Sequence, residues 1–178
     1  QKLLKKSVEF EPRRRSDIDA IFLAARPRQA QSFSPLLQFH RAGDLPLYAT
    51  SHAWLGELNE QQLADMKGMM LADLPIFANQ EELGKLKKSM PNLPNSLIRL
   101  YAMGNDAFSL LPHLKRLKLD KNIFIKGKTG RLYMDSKNYV QRQTTWLKLA
   151  KKPKIIGYSA RLNSLPMIFE PSAMDDKK

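Results

Sequence analysis

The 178-residue chain has 43% hydrophobic and 26% charged residues, values typical of a folded globular domain and not of a disordered chain. It contains no cysteine, which excludes disulfides and thiol catalysis within it, and it has no apolar run near the roughly 20 residues of a membrane-spanning helix. Of the net charge of +13, residues 1–16 carry +4, residues 17–119 carry +1 and residues 120–178 carry +8. We expect a solvated basic surface and no nucleic-acid partner. Nucleic-acid binding through the basic flanks is the less favoured alternative.

The chain opens with a predicted strand followed by a helix. An apolar run over 17–25 predicts a strand covered on both faces, as in parallel sheets. Pro27 suits the first turn of the following helix. Ser34 is expected to cap a second set of turns that begins at Pro35, and Gly43 is expected to end the helix.

The same order then repeats twice. Residues 45–50 predict a second strand, and residues 69–77 contain a third that is broken at Pro75. The residues that cap the two following helices are Asn59, with Gln62 completing a capping box, and Asn79. Strands and helices that alternate through short connections predict a parallel sheet flanked by helices.

The second half of the chain predicts one long helix and a hairpin. The helix runs from Ser96 to about Leu111, and Gly104 inside it indicates a close backbone approach. Its apolar face is Leu97, Leu100, Tyr101, Gly104, Ala107, Phe108 and Leu111. Residues 130–149 predict a hairpin that adds to the same sheet, because Leu132 and Trp146 need a face to bury.

Motifs that carry chemistry are absent from the sequence. No glycine-rich phosphate loop follows any predicted strand. His40, His52 and His113 are far apart and lack a second ligand at metal spacing. Ser51 and His52 are adjacent on a strand end and point apart, so they do not form a nucleophile–base pair. We therefore expect no enzyme, no metal and no cofactor.

A binding cleft is favoured by position alone. In open α/β sheets, ligands lie beyond the carboxyl ends of the strands. The polar and aromatic residues at these ends, which could recognise a carboxylate or a sugar-like group, are Arg26, Arg28, Ser51, His52, Trp54 and Phe77. The other interpretation, slightly favoured, is that the arginines cap or pair locally and the aromatic residues pack.

Three stretches carry a resemblance to a known family. "RRRSDIDAIFLAARPRQAQSFSPLLQFHRAGDLPLYATSHAW", "RLYAMGNDAFSLLPHL" and "FIKGKTGRLYMDSKNYVQRQTTWLKL" resemble, in this order, the LpoA (LppC) family of outer-membrane lipoproteins. The third stretch is also similar to the closing hairpin of type I periplasmic binding proteins, with Gly127, Thr129, Gly130 and Asp135 in matching places. The resemblance covers residues 13 to about 156.

This resemblance implies a regulator of peptidoglycan synthesis that binds and activates a class A penicillin-binding protein. It also implies a place in the periplasm at the inner face of the outer membrane, through a lipidated cysteine of the parent protein that this chain lacks. The alternative from another class is a periplasmic domain that binds an amino acid or a peptidoglycan fragment. The resemblance implies no cofactor.

The resulting fold prediction is α/β: a mainly parallel, Rossmann-like sheet flanked by helices, forming one lobe of a type I periplasmic binding protein, with a C-terminal β-hairpin. Residues 1–16 are a basic lead-in, 17–156 the lobe and 157–178 an irregular tail. The resemblance places the helical region 96–119 with the first lobe or between the lobes. The apolar face of the helix over 96–111 should then pack outside residues 17–77, on a second copy, on the tail or on a first lobe. Exposure of that face, or packing on residues 17–77, counts against this assignment.

Overall fold

The computed structural model describes residues 16–161, and the elements below are those of this part of the chain. The helices are α1 (Pro27–Phe39), α2 (Glu60–Met66), α3 (Gln80–Ser89), α4 (Asn95–Leu110) and α5 (Leu114–Leu119). The strands are β1 (Ile21–Leu23), β2 (Leu47–Thr50), β3 (Met70–Asp73), β4 (Ile125–Lys126), β5 (Arg131–Met134), β6 (Val140–Gln143), β7 (Thr145–Lys148) and β8 (Lys154–Tyr158).

The main sheet has five strands in the order β1-β2-β3-β7-β8. The first three are parallel and are connected through helices, as the alternating pattern predicts. Strands β7 and β8 add to the sheet in antiparallel orientation. Strand β1 is an edge strand, and Phe22 in it is 65% exposed. The expectation that this strand is covered on both faces is therefore wrong, because an apolar run does not show whether a strand lies at an edge.

The predicted hairpin is divided between two sheets. Strands β4, β5 and β6 form a separate three-stranded antiparallel sheet, and only β7 joins the main sheet. Leu132 in β5 packs in a second apolar cluster with Leu110 and Leu117, whereas the Trp146 ring in β7 meets Tyr48 edge-on at 5.5 Å. Leu132 and Trp146 thus bury their side chains against two different apolar surfaces. The prediction of one shared sheet is therefore wrong for β5 and β6.

The predicted helix starts agree with the structure. Pro27 occupies the first turn of α1, and the side chains of Asn59 and Asn79 accept the backbone N–H groups of Gln62 and Glu82. The end of α1 is different. Pro35 lies inside one continuous helix instead of starting a second one.

Helix α1 also ends earlier than Gly43. It stops after Phe39, and Arg41 takes the left-handed conformation with φ 56°. The N–H groups of Arg41 and Ala42 donate to the carbonyls of Gln38 and Leu37, which is the Schellman pattern. Arg41, and not Gly43, is therefore the left-handed residue that ends α1.

Helix α4 packs through a different face from the predicted one. Ile98 and Ala102 are 1% and 0% exposed and belong to the main core with Leu71 and Leu147. The predicted face is largely exposed, with Leu100 and Leu111 at 58% and 61% and Phe108 at 76%. Helix α4 is thus part of the lobe formed by residues 17–77, and its assignment to a first lobe is wrong for the described residues. Self-association through the exposed face stays a prediction.

Gly104 lies on the exposed side of α4, where an added Cβ meets no atom within 4 Å. The predicted close approach is not made by any of the residues 16–161. We expect Gly104→Ala to raise the free energy of unfolding by about 1 kcal/mol, because alanine loses less backbone entropy in a helix. Urea denaturation measures this, with Gly84→Ala in α3, which is equally open, as the parallel variant. A loss of stability would indicate a contact at Gly104 made by residues outside this range.

The predicted tail boundary at residue 157 is wrong. Strand β8 reaches Tyr158, so the boundary at 157 falls within a strand of the main sheet. The remainder of the predicted tail, 162–178, and the basic lead-in up to residue 15 lie outside the described residues.

Candidate functional site

The first group of predicted cleft residues lies where the chain turns from β1 into α1. Arg26 is the N-cap residue of α1, and its backbone N–H donates to Gln29 Oε1 at 3.1 Å. Arg28 follows in the first turn. Both side chains are exposed, and within residues 16–161 neither forms an ion pair. They remain available to a ligand, so their role stays a prediction.

The second group divides between surface and core. His52 is exposed in the short 3-10 turn after β2, while Trp54 and Phe77 are only 2% and 1% exposed. The two rings meet edge-on with centroids 5.4 Å apart. Both aromatic residues therefore pack in the core, which is the interpretation that the sequence favoured slightly.

What joins this second group is a buried carboxylate at the end of β3. Asp73 is 2% exposed, and its Oδ2 accepts Trp54 Nε1–H at 2.7 Å. Arg99 in α4 donates from Nη2 and Nε to the two carboxylate oxygens at 2.6 and 3.1 Å. Arg99 Nη2 also reaches the Ser51 carbonyl at 3.1 Å. These contacts fasten α4 to the carboxyl ends of β2 and β3.

Neither Asp73 nor Arg99 was singled out from the sequence. An acidic residue that ends an apolar strand is a usable signal, because a carboxylate there must find partners when it is buried. Arg99 gives no comparable signal in its own helix. Its role depends on how α4 lies against the sheet.

A second buried carboxylate fixes the β4–β5 turn to α4. Asp106 is 4% exposed and accepts hydrogen bonds from Lys128 N (2.7 Å), Thr129 N (2.8 Å) and Thr129 Oγ1 (2.6 Å). At Gly127 an added Cβ would lie 2.4 Å from Asp106 Oδ2, so only glycine allows this approach. Gly130 has φ 147° and is equally crowded, by the Gln143 carbonyl. Gly127, Thr129 and Gly130, which the sequence predicts to match positions of binding proteins, therefore hold the turn in place.

Asp135, the fourth residue of that shared pattern, closes the β5–β6 turn. Its carboxylate accepts the Tyr139 backbone N–H at 2.8 Å and the Gln141 side-chain amide at 2.9 Å. The Gln141 hydrogen bond is the main reason why the pKa of Asp135 lies below its ordinary value of 3.8. Burial opposes this shift, and hydrogen bonds from the backbone N–H groups of Tyr139 and Lys137 reinforce it.

The turn should consequently weaken in acid. A carboxyl group whose pKa is lowered by folding stabilises the fold above its unfolded pKa, and this contribution is lost as pH falls through the folded pKa. We expect the Tyr139 N–H and the Gln141 side-chain amide to lose their hydrogen bonds only at a pH below 3.8, because the folded pKa of Asp135 lies below that value. NMR shifts of these two groups against pH measure the loss. If the NMR shifts of these two groups change with pH in Asp135→Asn as they do in the native protein, the Asp135 carboxyl group is not the cause of the change.

One opening in the described structure is a cavity of about 1080 Å³. It lies between the β3–α3 connection, α4, the turn of the second sheet and the start of β8. Its basic lining residues are Lys126, Lys128, Arg131, Lys152 and Lys154. None of the six predicted cleft residues lines it, although it borders Pro75 and Ile76 beside Phe77.

Two further features concern residues 16–161. No group of three or more histidine, aspartate or glutamate side chains in this range has the arrangement of a metal site. No helix in the same range combines the length and the apolar character that crossing a bilayer requires. The oxygens of the buried carboxylates accept hydrogen bonds that join segments of the chain.

Comparison with known proteins shows which family the chain belongs to. The model of the family described as "LppC putative lipoprotein" matches residues 1–151. The chain belongs to the LppC family. The penicillin-binding protein activator LpoA of Aliivibrio fischeri is 31% identical over 144 residues, which cover 78% of this chain and 24% of that protein. The LpoA of Vibrio vulnificus is 29% identical over 149 residues. The LppC chain thus spans about a quarter of the length of these relatives.

Solved structures agree with the fold. The C-domain of LpoA from Haemophilus influenzae, described as a regulator of PBP1A, is 28% identical with a TM-score of 0.66. The match covers 81% of the LppC chain and 46% of that domain. A "putative branched-chain amino acid ABC transporter" from Chromobacterium violaceum is 25% identical with a TM-score of 0.53, over 72% of this chain and 41% of that one. The predicted α/β class and its likeness to periplasmic binding proteins are confirmed.

Proposed function

We propose that this LppC chain is part of a non-catalytic regulator that binds a class A penicillin-binding protein and raises its transpeptidase output. The observation that carries the proposal is the likeness to the LpoA C-domain, a regulator of PBP1A, at 28% identity and a TM-score of 0.66. The parent protein is proposed to sit at the inner face of the outer membrane, held there by its lipid. The enzyme it regulates would then lie across the periplasm.

The buried acidic groups have a structural use in the described residues. Asp73, Asp106 and Asp135 are the carboxylates that are buried in residues 16–161. Each accepts hydrogen bonds that join separate segments of the chain, which is a structural use of their oxygens.

A binding and crosslinking assay tests the proposal. The purified chain is titrated with its cognate synthase, and the crosslinked fraction of newly made peptidoglycan is measured with and without the full-length parent lipoprotein. We expect a saturable complex and more crosslinking. The net charge of +13 favours attachment to any acidic polymer, so the titration is repeated at higher salt. A complex that disappears with salt, together with unchanged crosslinking, would refute the proposal.

Small-ligand binding at the carboxyl edge of the sheet is the second candidate. It is favoured by Arg26 and Arg28, which lie exposed at the start of α1 without an ion pair in the described range. Ser51 and His52 follow the neighbouring strand β2. Calorimetry with amino acids and peptidoglycan fragments, repeated with Arg26→Ala and Arg28→Ala, separates the candidates. Saturable binding that both variants lose would favour this second function, while retained binding would exclude these arginines.

A further inference from the structure

The cavity of about 1080 Å³ has the size of a small-molecule site. Residues of the first two strands of the second sheet line it, and so do residues of β8 at the edge of the main sheet. The lining carries five lysine and arginine residues against two acidic residues, Glu82 and Asp106. The lining is therefore positive.

Arg131 is the lining side chain whose orientation is fixed by its neighbours. Its guanidinium carbon lies over two aromatic rings, 4.7 Å from the Phe124 centroid and 3.8 Å from the Tyr158 centroid. Arg131 Nε is buried and has no hydrogen-bond partner within the described residues. Stacking on a ring uses a face of the guanidinium and leaves its N–H groups pointing outward in its plane. A planar fork held in this way is suited to pair with a carboxylate or a phosphate.

The surrounding charges are not balanced by the protein. Lys126, Lys152 and Lys154 line the cavity and form no ion pair within residues 16–161. The two acidic groups of the lining are already engaged. Glu82 pairs with Lys128, and Asp106 accepts three hydrogen bonds from the turn. The cavity therefore combines a preorganised arginine with three unpaired lysines.

We infer that this cavity binds a small oxyanion that carries at least two negative charges on carboxylate or phosphate groups, with Arg131 as the paired contact and the lysines as surrounding charge. A bound anion would satisfy the Arg131 N–H groups and relieve the repulsion between the four cationic side chains. The inference does not depend on the proposed function, since it concerns the chain alone.

Isothermal titration calorimetry of the full chain at physiological ionic strength tests the inference. Citrate is the carboxylate probe and pyrophosphate the phosphate probe, and the stronger of the two identifies the source of the charge. We expect saturable binding of at least one probe. Arg131→Gln should weaken it by about tenfold or more, because a hydrogen bond between charged groups is lost.

The controls separate a site from general attraction to a basic protein. Arg116→Gln removes one exposed arginine in α5 outside the cavity and should leave binding within about twofold. If Arg131→Gln does not fold, the double variant Lys152→Gln/Lys154→Gln, which changes only exposed side chains, should weaken binding similarly. Absence of saturable binding, or an equal loss in Arg116→Gln, would overturn the inference.

Discussion

Replacing Asp73 with asparagine is expected to lower the free energy of unfolding by about 3 kcal/mol, the lower end of the range for breaking a buried ion pair. The amide removes the charge that faces Arg99 and sets an N–H₂ group against N–H donors that the carboxylate now accepts. Three donors depend on this group: Trp54 Nε1, Arg99 and the Leu74 backbone. Arg99 keeps 26% of its side-chain surface in solvent, which limits the loss.

Urea denaturation with and without the substitution measures this effect. The matched control is Glu81→Gln, which breaks the Glu81–Lys85 ion pair on α3. Both partners of that pair are more than 70% exposed, so the change should cost under about 1 kcal/mol. Equal losses in the two variants would show that the buried network does not hold α4 to the sheet.

Local features of the fold could be predicted because their causes are local. The capping asparagines at 59 and 79 satisfy orphan N–H groups within their own first turn, and Pro27 only requires a helix start. The parallel order of β1, β2 and β3 follows from alternation with helices. These features need no information about distant residues.

Features set by distant contacts could not be read in the same way. Helix α4 carries apolar residues on two sides, and only the position of the sheet decides that Ile98 and Ala102 are buried while Phe108 is exposed. The segment 130–149 predicts strands correctly, but a change of sheet between β6 and β7 leaves no mark on side-chain alternation. A hydrophobic pattern shows that a face must be buried and not against what.

The candidate site shows the same limit. Trp54 and Phe77 could be selected from the sequence as residues near a strand end. In the structure both rings are buried, and the Trp54 N–H donates to Asp73, the carboxylate that pairs with Arg99. The cavity that does form depends on Arg131, whose two aromatic neighbours lie seven positions before it and 27 positions after it. Membership of the LppC family, in contrast, could be predicted, because the three resembling stretches are contiguous in sequence.

The joint between α4 and the β4–β5 turn yields the second large effect. Asp106→Ala removes the acceptor of three hydrogen bonds, of which the two from Thr129 are buried and cost about 1–3 kcal/mol each when left unmade. We therefore expect a loss of about 3 kcal/mol or more in the free energy of unfolding. Ser109→Ala, an exposed position in the same helix, should change it by less than about 0.5 kcal/mol.

Gly127→Ala perturbs the same contact between α4 and the β4–β5 turn and tests why residue 127 is glycine. In the native protein the new Cβ would meet Asp106 Oδ2 and Cγ at 2.4 and 2.8 Å, so the substitution should cost about 1–3 kcal/mol. Once Asp106 is alanine, only the end of the flexible Leu132 side chain, with Cδ1 at 2.9 Å, still crowds the new Cβ, so the same substitution should cost less. Urea denaturation of the two single variants and the double variant forms a double-mutant cycle. Additive losses would contradict the direct contact, whereas a double variant little worse than Asp106→Ala would show that the carboxylate is the reason for glycine at this position.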